Sequence, residues 1–110
     1  MTDPILERDS VLAEMVRRLV NAFGPERIYL FGSKARGDAR PDSDYDLVMV
    51  LREAHAPAHR LAQQAHALLW GLDASADILV WSKSDFDWRA GWKSSLPATV
   101  LGEGRLLYAG

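Results

Sequence analysis

The sequence contains no cysteine among its 110 residues. Disulfide bonds and thiolate metal sites are therefore excluded, and the chain lacks the cysteine pairs that hold small secreted domains together. It also lacks any apolar run long enough for a signal core or a membrane span, and its first residues are acidic and include Pro4. We therefore expect a cytoplasmic location and no membrane partner.

The chain carries little net charge. Its 13 basic and 15 acidic residues give a formal charge of -2, so direct nucleic-acid binding is not implied, although a local basic patch is compatible with this balance. The hydrophobic fraction of 48% and the charged fraction of 25% are typical of a globular domain rather than a disordered chain. At this length we predict one domain spanning residues 1–110.

Hydrophobic periodicity and turn residues predict alternating helices and strands. The first helix begins at Asp3-Pro4 and continues with helical spacing to Phe23, before Gly24-Pro25. Further helices are expected over residues 57–70, 82–88 and 97–101. Strands are expected at residues 27–31, 45–51, 76–81 and 105–108. This order predicts an α/β (α+β) fold with one small mixed sheet backed by helices.

Aspartates interrupt the starts of two predicted apolar strands. Asp44 and Asp46 are two residues apart, so in an extended chain they point to one face with Cα atoms roughly 6.5 to 7 Å apart. Carboxylates this close repel each other unless a cation compensates, and such hard oxygen ligands suit Mg²⁺ bound with substrate phosphates. If the strand of Asp77 lies beside the second strand, the three acids would converge on one or two Mg²⁺ ions. Asp77 could also act as the base that takes the proton of the acceptor.

Gly32 and Ser33 follow the first predicted strand, where a helical turn is expected to begin. Backbone N–H groups at such a turn favour a phosphate, glycine permits its close approach, and the serine hydroxyl adds a donor. Positive charge for a triphosphate is supplied nearby by Lys34, Arg36 and Arg40. A Walker A loop is excluded, because Lys34 follows Ser33 instead of preceding it.

The spacing of these residues resembles a known signature. Gly32-Ser33, ten intervening residues and Asp44-Tyr45-Asp46 are similar to the signature of the nucleotidyltransferase superfamily typified by DNA polymerase β. Four further parts are similar to the minimal nucleotidyltransferases of that superfamily: residues 30–37, residues 42–47, Asp77 as the third acid, and residues 103–108 as the closing strand. The resemblance covers nearly the whole chain.

This resemblance implies a polymerase β-like fold and Mg²⁺-dependent transfer of a nucleotidyl group to a hydroxyl. It assigns nucleotide binding to Gly32, Ser33 and Arg36. It assigns catalysis and metal binding to Asp44, Asp46 and Asp77.

The same resemblance carries expectations about a partner. The chain ends directly after the expected closing strand, so we expect another chain to supply the acceptor. In minimal nucleotidyltransferases that partner is commonly a HEPN protein, an all-α ribonuclease toxin, and some members act as antitoxins by transferring AMP from ATP to a tyrosine on it. We therefore expect a hetero-oligomer with a HEPN toxin.

Simpler interpretations stand beside these hypotheses. Taken alone, Asp44 and Asp46 fit a solvated loop whose acids cap nearby backbone, and Asp77 fits a strand residue facing solvent. For the chain as a whole, the alternatives are a non-catalytic antitoxin that blocks its partner by binding, and a small-molecule nucleotidyltransferase, which would lack a recognisable acceptor domain. Core packing is expected for the tryptophans, and the alternative is an aromatic anchor for a partner formed by Trp88 and Trp92 with Trp70 and Trp81.

Overall fold

A computed structural model describes residues 3–110 of the chain as a sheet with helices on both faces. In chain order the elements are α1 (Ile5–Arg8), α2 (Ser10–Phe23), β1 (Arg27–Phe31), α3 (Gly32–Arg36), β2 (Tyr45–Leu51), α4 (Ala58–Leu68), β3 (Ala76–Ser82), α5 (Lys83–Ala90), α6 (Leu96–Glu103) and β4 (Arg105–Ala109). None of the helices within these residues has both the length and the apolar character that crossing a membrane requires.

The strands lie in the order β3-β2-β1-β4, with β2 and β1 in the centre. β1 is antiparallel to both of its neighbours, whereas β2 and β3 are parallel. Parallel strands require a crossover, which α4 provides between β2 and β3. The mixed sheet backed by helices confirms the predicted fold class.

Alternate residues of the strands fill two separate apolar layers. On one face of the sheet, Leu47 and Met49 pack with side chains of α2 and α4. On the other face, Val48 packs with Phe86 of α5 and Val100 of α6. The alternation of buried side chains to both faces explains why β2 is almost continuously apolar in sequence.

The first predicted helix is interrupted, contrary to expectation. α1 ends at Arg8 and α2 begins at Ser10, because Asp9 adopts an extended conformation with φ of -126° and ψ of 93°. One oxygen of the Asp9 carboxylate accepts a hydrogen bond of 3.0 Å from the backbone N–H of Leu12, which caps α2. The other accepts a hydrogen bond of 2.6 Å from the Tyr45 hydroxyl. These two bonds stabilise a separate helix start at Asp9.

The expectation that the tryptophans pack in the core is wrong for three of them. Trp70, Trp88 and Trp92 expose 88%, 61% and 52% of their surface. Trp88 and Trp92 pack on each other, with ring centroids 4.7 Å apart. Phe86 occupies the buried side of α5, and a residue two positions later lies about 200° around a helix, so Trp88 faces solvent.

Truncation of Leu47 tests the position of the core. Leu47 is fully buried on β2, so Leu47→Ala is expected to lower the free energy of unfolding by about 2–5 kcal/mol in urea denaturation. Leu101→Ala provides the control, because this leucine is half-exposed on α6, and its expected change is below about 1 kcal/mol. Equal losses in the two variants would contradict the described core.

Candidate active site

Three aspartates lie at one end of the sheet. Asp46 on β2 and Asp77 on β3 are register partners in the parallel pair, and neighbouring strands lie about 4.8 Å apart. Asp44 precedes Asp46 by two residues, and its charge acts on Asp46. The structure therefore places Asp46 and Asp77 side by side on the sheet face that also carries α5 and α6, with Asp44 directly before the start of β2.

Asp46 has the most constrained environment of the three. Its pKa is raised, first by burial and then by the negative charges of Asp77 and Asp44, while the charge of Arg36 offsets part of the effect. No ion pair joins any of the three acids to a basic residue within the described part of the chain. A half-buried carboxylate beside like charges is electrostatically costly, and a bound cation would relieve that cost.

Asp44 is held by the turn that precedes β3. Its carboxylate accepts a hydrogen bond from the Ser75 hydroxyl, and the Tyr45 N–H donates to the Ser75 carbonyl at 3.0 Å. Within residues 3–110 no group of three or more His, Cys, Asp or Glu side chains is gathered closely enough to hold a metal ion. The acids thus share one end of the sheet without meeting at one point, because the Asp44 carboxylate binds Ser75.

Gly32 is required by the position of the Asp46 carboxylate. Gly32 has φ of +74°, and a Cβ placed there would overlap Asp46 Oδ2 and lie 3.2 Å from Asp46 Cγ. Ser33 follows it in the first turn of α3, which ends at Gly37 with φ of +84°. The absence of a side chain at Gly32 therefore allows the predicted phosphate turn and the predicted acids to lie against each other.

Arg36 is the basic residue whose charge acts on Asp46. It is exposed at the end of α3, and its positive charge favours the ionised form of Asp46 and so lowers that pKa. Its own ion pairs are loose, with Nε 3.4 Å from Asp38 and one terminal nitrogen 4.0 Å from Glu103. Such exposed pairs contribute little to stability, so they hold the Arg36 guanidinium only weakly.

Lys34 points elsewhere, although its sequence position also predicted a phosphate contact. Its Nζ lies 4.4 Å from the centroid of the Tyr45 ring. Tyr45 is buried in the layer formed with α2 and α4, which is the sheet face opposite that of Asp46. Arg40 is exposed in the loop before β2. Of Lys34, Arg36 and Arg40, the residue whose charge reaches Asp46 is therefore Arg36.

Sequence reasoning missed two residues that support the site. Ser75 binds Asp44, as described above. Arg105 donates from Nε to the Ala35 carbonyl at 3.0 Å and from a terminal nitrogen to Asp3 Oδ1 at 3.2 Å, and it thereby holds the end of α3. A single arginine or serine far along the chain carries no local pattern that would reveal such contacts.

A family model for the nucleotidyltransferase domain matches residues 11–106. The chain belongs to the nucleotidyltransferase domain family. Membership supports transfer of a nucleotidyl group, and the match includes the turn of Gly32 and all three acids. No curated protein matches the chain.

Solved structures with a similar fold include nucleotidyltransferase and toxin–antitoxin proteins. A Sulfolobus solfataricus protein assigned to the nucleotidyltransferases is 24% identical with a TM-score of 0.57, over 72% of this chain and 70% of that one. A chain in a mutant MntA–HpeT toxin–antitoxin structure is 20% identical with a TM-score of 0.57, over 90% and 72%. A chain in a toxin–antitoxin structure with AMP-PNP is 21% identical with a TM-score of 0.56, over 92% and 73%. At these identities the likeness shows the fold alone.

A methyl group at position 32 is expected to disturb Asp46 specifically. Gly32→Ala and Gly37→Ala both place alanine at positive φ, and each should cost about 1 kcal/mol or more of folding stability. A Cβ at Gly37 meets nothing within 4 Å, so this variant is a matched control. Only Gly32→Ala should change the Asp46 carboxyl ¹³C shift and its titration by NMR. Identical Asp46 signals in both variants would refute the described contact.

Neutralisation of Asp46 is expected to stabilise the fold in a pH-dependent manner. The pKa of Asp46 is raised in the folded state, so the folded protein keeps the proton of this carboxyl group to a higher pH than the unfolded chain does. The free energy of unfolding therefore falls as the pH rises through that raised pKa. Asp46→Asn should therefore increase the free energy of unfolding at neutral pH and change it little below the ordinary carboxyl range. Urea denaturation across this pH interval measures the difference. Asp42→Asn in the exposed loop is the control, and a neutral-pH loss in Asp46→Asn would contradict the expected sign.

Proposed function

We propose that the chain is a Mg²⁺-dependent nucleotidyltransferase that moves AMP from ATP to a hydroxyl of a partner protein, a tyrosine of a HEPN ribonuclease toxin whose antitoxin it is. One observation carries the proposal: the register that sets Asp46 beside Asp77, with Gly32 against the Asp46 carboxylate. Family membership supports nucleotidyl transfer. The toxin–antitoxin structures of similar fold, one of them with AMP-PNP, support a nucleotide and a protein partner.

The acids have the chemistry that a Mg²⁺ site needs. Their carboxylate oxygens are hard ligands, and Asp46 is half-buried among like charges without an ion-pair partner in residues 3–110. In the proposal Mg²⁺ would draw Asp44, Asp46 and Asp77 together, and Asp44 would exchange its hydrogen bond from Ser75 for the ion. When bound, the ion would neutralise charge on the triphosphate and on the departing pyrophosphate.

The start of α3 is proposed to hold the triphosphate. Gly32 brings the backbone of this turn against the Asp46 carboxylate, and Ser33 contributes a hydroxyl and a backbone N–H in the first turn. Arg36 lies close enough to affect the charge of Asp46, so its guanidinium can pair with a phosphate oxygen near the acids. These three residues would orient the α-phosphorus toward Asp77.

Asp77 is proposed to receive the acceptor's proton. Its side chain is exposed on β3, where an incoming hydroxyl can reach it. The hydroxyl oxygen forms a bond to the α-phosphorus, the bond between the α-phosphorus and the bridging oxygen of the β-phosphate breaks, and pyrophosphate leaves with that electron pair. The hydroxyl proton passes to the Asp77 carboxylate, which acts as a general base.

A binding-only antitoxin is the second candidate function. The exposed pair of Trp88 and Trp92 favours it, because clustered surface tryptophans commonly anchor protein partners. Asp46 beside Asp77 is electrostatically unfavourable. A protein that only binds its partner does not need these two acids to be adjacent. We therefore prefer the enzyme.

The transferase proposal is tested with radiolabelled ATP, Mg²⁺, the purified chain and a candidate HEPN partner. Label from the α-phosphate should appear on the partner in gels, and mass spectrometry should find AMP on a tyrosine. Asp44→Asn combined with Asp46→Asn should reduce transfer by about a thousandfold or more, because charge stabilisation in the transition state is lost. Asp38→Asn combined with Asp42→Asn, both exposed loop positions, is the matched control.

Two outcomes would count against this proposal. Unchanged turnover in the folded Asp44→Asn and Asp46→Asn double variant would refute the metal assignment. Tight partner binding without label from any of the nucleoside triphosphates would favour the binding-only antitoxin.

A further inference from the structure

β3 forms an open edge of the sheet. It pairs with β2 alone among the described strands, whereas the opposite edge, β4, is met by Asp3, whose N–H donates to the Leu106 carbonyl at 2.9 Å. The seven residues Ala76–Ser82 contain no proline or lysine, and their pairing with β2 runs without a register shift. Natural proteins ordinarily protect a long edge strand with proline, lysine or another charge, or a bulge, and of these β3 carries only the charge of Asp77.

The direction of the backbone groups on this edge follows from one hydrogen bond. The Tyr45 N–H donates to the Ser75 carbonyl, and in a parallel pair alternate residues bond to the same neighbour. The N–H and C=O groups of Asp77 and Leu79 therefore point toward β2. Those of Ile78 and Val80 point away from β2, to the open edge. Within residues 3–110 no hydrogen bond from another segment occupies the outward N–H or C=O groups of Ile78 and Val80.

Two cavities lie along the same strand. One of about 320 Å³ is lined by Ala62, Gln63, His66, Asp77 and Ile78. The other, of about 440 Å³, includes Pro57, Ala58, Val80, Trp81 and Asp85 in its lining. The carboxylates of Asp77 and Asp85 are the charged groups in these linings, beside the imidazole of His66. The edge thus combines unpaired backbone groups, space for side chains and negative charge.

We propose that an extended segment of the acceptor polypeptide adds to β3 as a further strand and presents its hydroxyl side chain to Asp77. This inference rests on the proposed transfer to a protein hydroxyl. An added strand would lie about 4.8 Å from β3, so the residue opposite Asp77 would place its side chain beside that carboxylate. Main-chain hydrogen bonds would supply affinity, and side chains in the two cavities would supply selectivity.

The negative charges on the β3 edge indicate which side chains the added strand should carry. Asp77 and Asp85 favour lysine or arginine near the acceptor hydroxyl. A second copy of this chain would bring its own Asp77 and Asp85 to the same edge and would add like charges. The occupant is therefore a basic, extended peptide segment and not another β3.

Hydrogen–deuterium exchange resolved by NMR tests the inference on the wild-type chain. The probe is a blocked synthetic peptide of alternating lysine and valine around one tyrosine. Its addition should slow amide exchange at Ile78 and Val80 by about tenfold or more, in proportion to the bound fraction. Asp77 and Leu79 already bond to β2 and should change less. A peptide with glutamate in place of lysine should bind more weakly.

Backbone methylation separates edge pairing from other binding. The same peptide with N-methyl groups along the edge that would face β3 should lose binding, whereas methylation along its other edge should not. On the protein side, Val80→Pro removes an outward N–H without removing a bond to β2, and it should weaken binding more than Val80→Ala, which retains that N–H. The methylated peptides test the inference even if Val80→Pro fails to fold.

Several results would overturn the inference. Unchanged exchange at Ile78 and Val80 with about 1 mM lysine peptide, the weak end of specific affinities, contradicts an edge that accepts peptides. Protection that appears without peptide and grows with protein concentration assigns the edge to a second copy. AMP labelling of a partner that leaves exchange at these two amides unchanged refutes edge docking while the proposed function stands. Peptide-induced protection without AMP transfer supports the edge and counts against the proposed function.

Discussion

The parallel pairing of β2 with β3 holds Asp46 beside Asp77 against their mutual repulsion. Two charges about 4 Å apart repel by about 1 kcal/mol in water and about 4 kcal/mol near a protein surface. Burial of one large apolar side chain contributes about 1.5–3 kcal/mol, and Leu47, Met49 and Val80 are all buried along the same pair of strands. Burial of these apolar side chains therefore outweighs the repulsion between Asp46 and Asp77 and holds the two acids side by side. The site depends on this excess of apolar stabilisation over charge repulsion.

Much of the fold and of the candidate site is predictable because the signals are local. A buried strand shows its apolar run, and an acid that interrupts such a run is visible in the sequence alone, which is why the sequence singles out Asp46 and Asp77 without showing that they pair. The sequence predicts that Gly32 lets a phosphate approach the backbone closely. The structure adds that the same glycine makes room for Asp46 Oδ2, a reason that only the tertiary arrangement contains.

The features that sequence reasoning missed depend on partners far along the chain. Asp9 interrupts the first helix by bonding to Tyr45, 36 residues away, and Arg105 holds Ala35 across 70 residues. No periodicity or turn signal encodes such pairs. The outward tryptophans were misassigned for a related reason, because hydrophobic character alone does not reveal that Phe86 already fills the covered side of α5.

The hydrogen bond between Tyr45 and Asp9 connects the strand of Asp46 to the start of α2. Tyr45 stands between the two acids in sequence, and Asp9 caps the first turn of α2. Opening of that turn would free the Tyr45 hydroxyl, so local opening at the start of α2 and at the start of β2 is expected to be coupled. Two segments 36 residues apart in the sequence thereby share one contact, and an opening motion of either one would weaken the other.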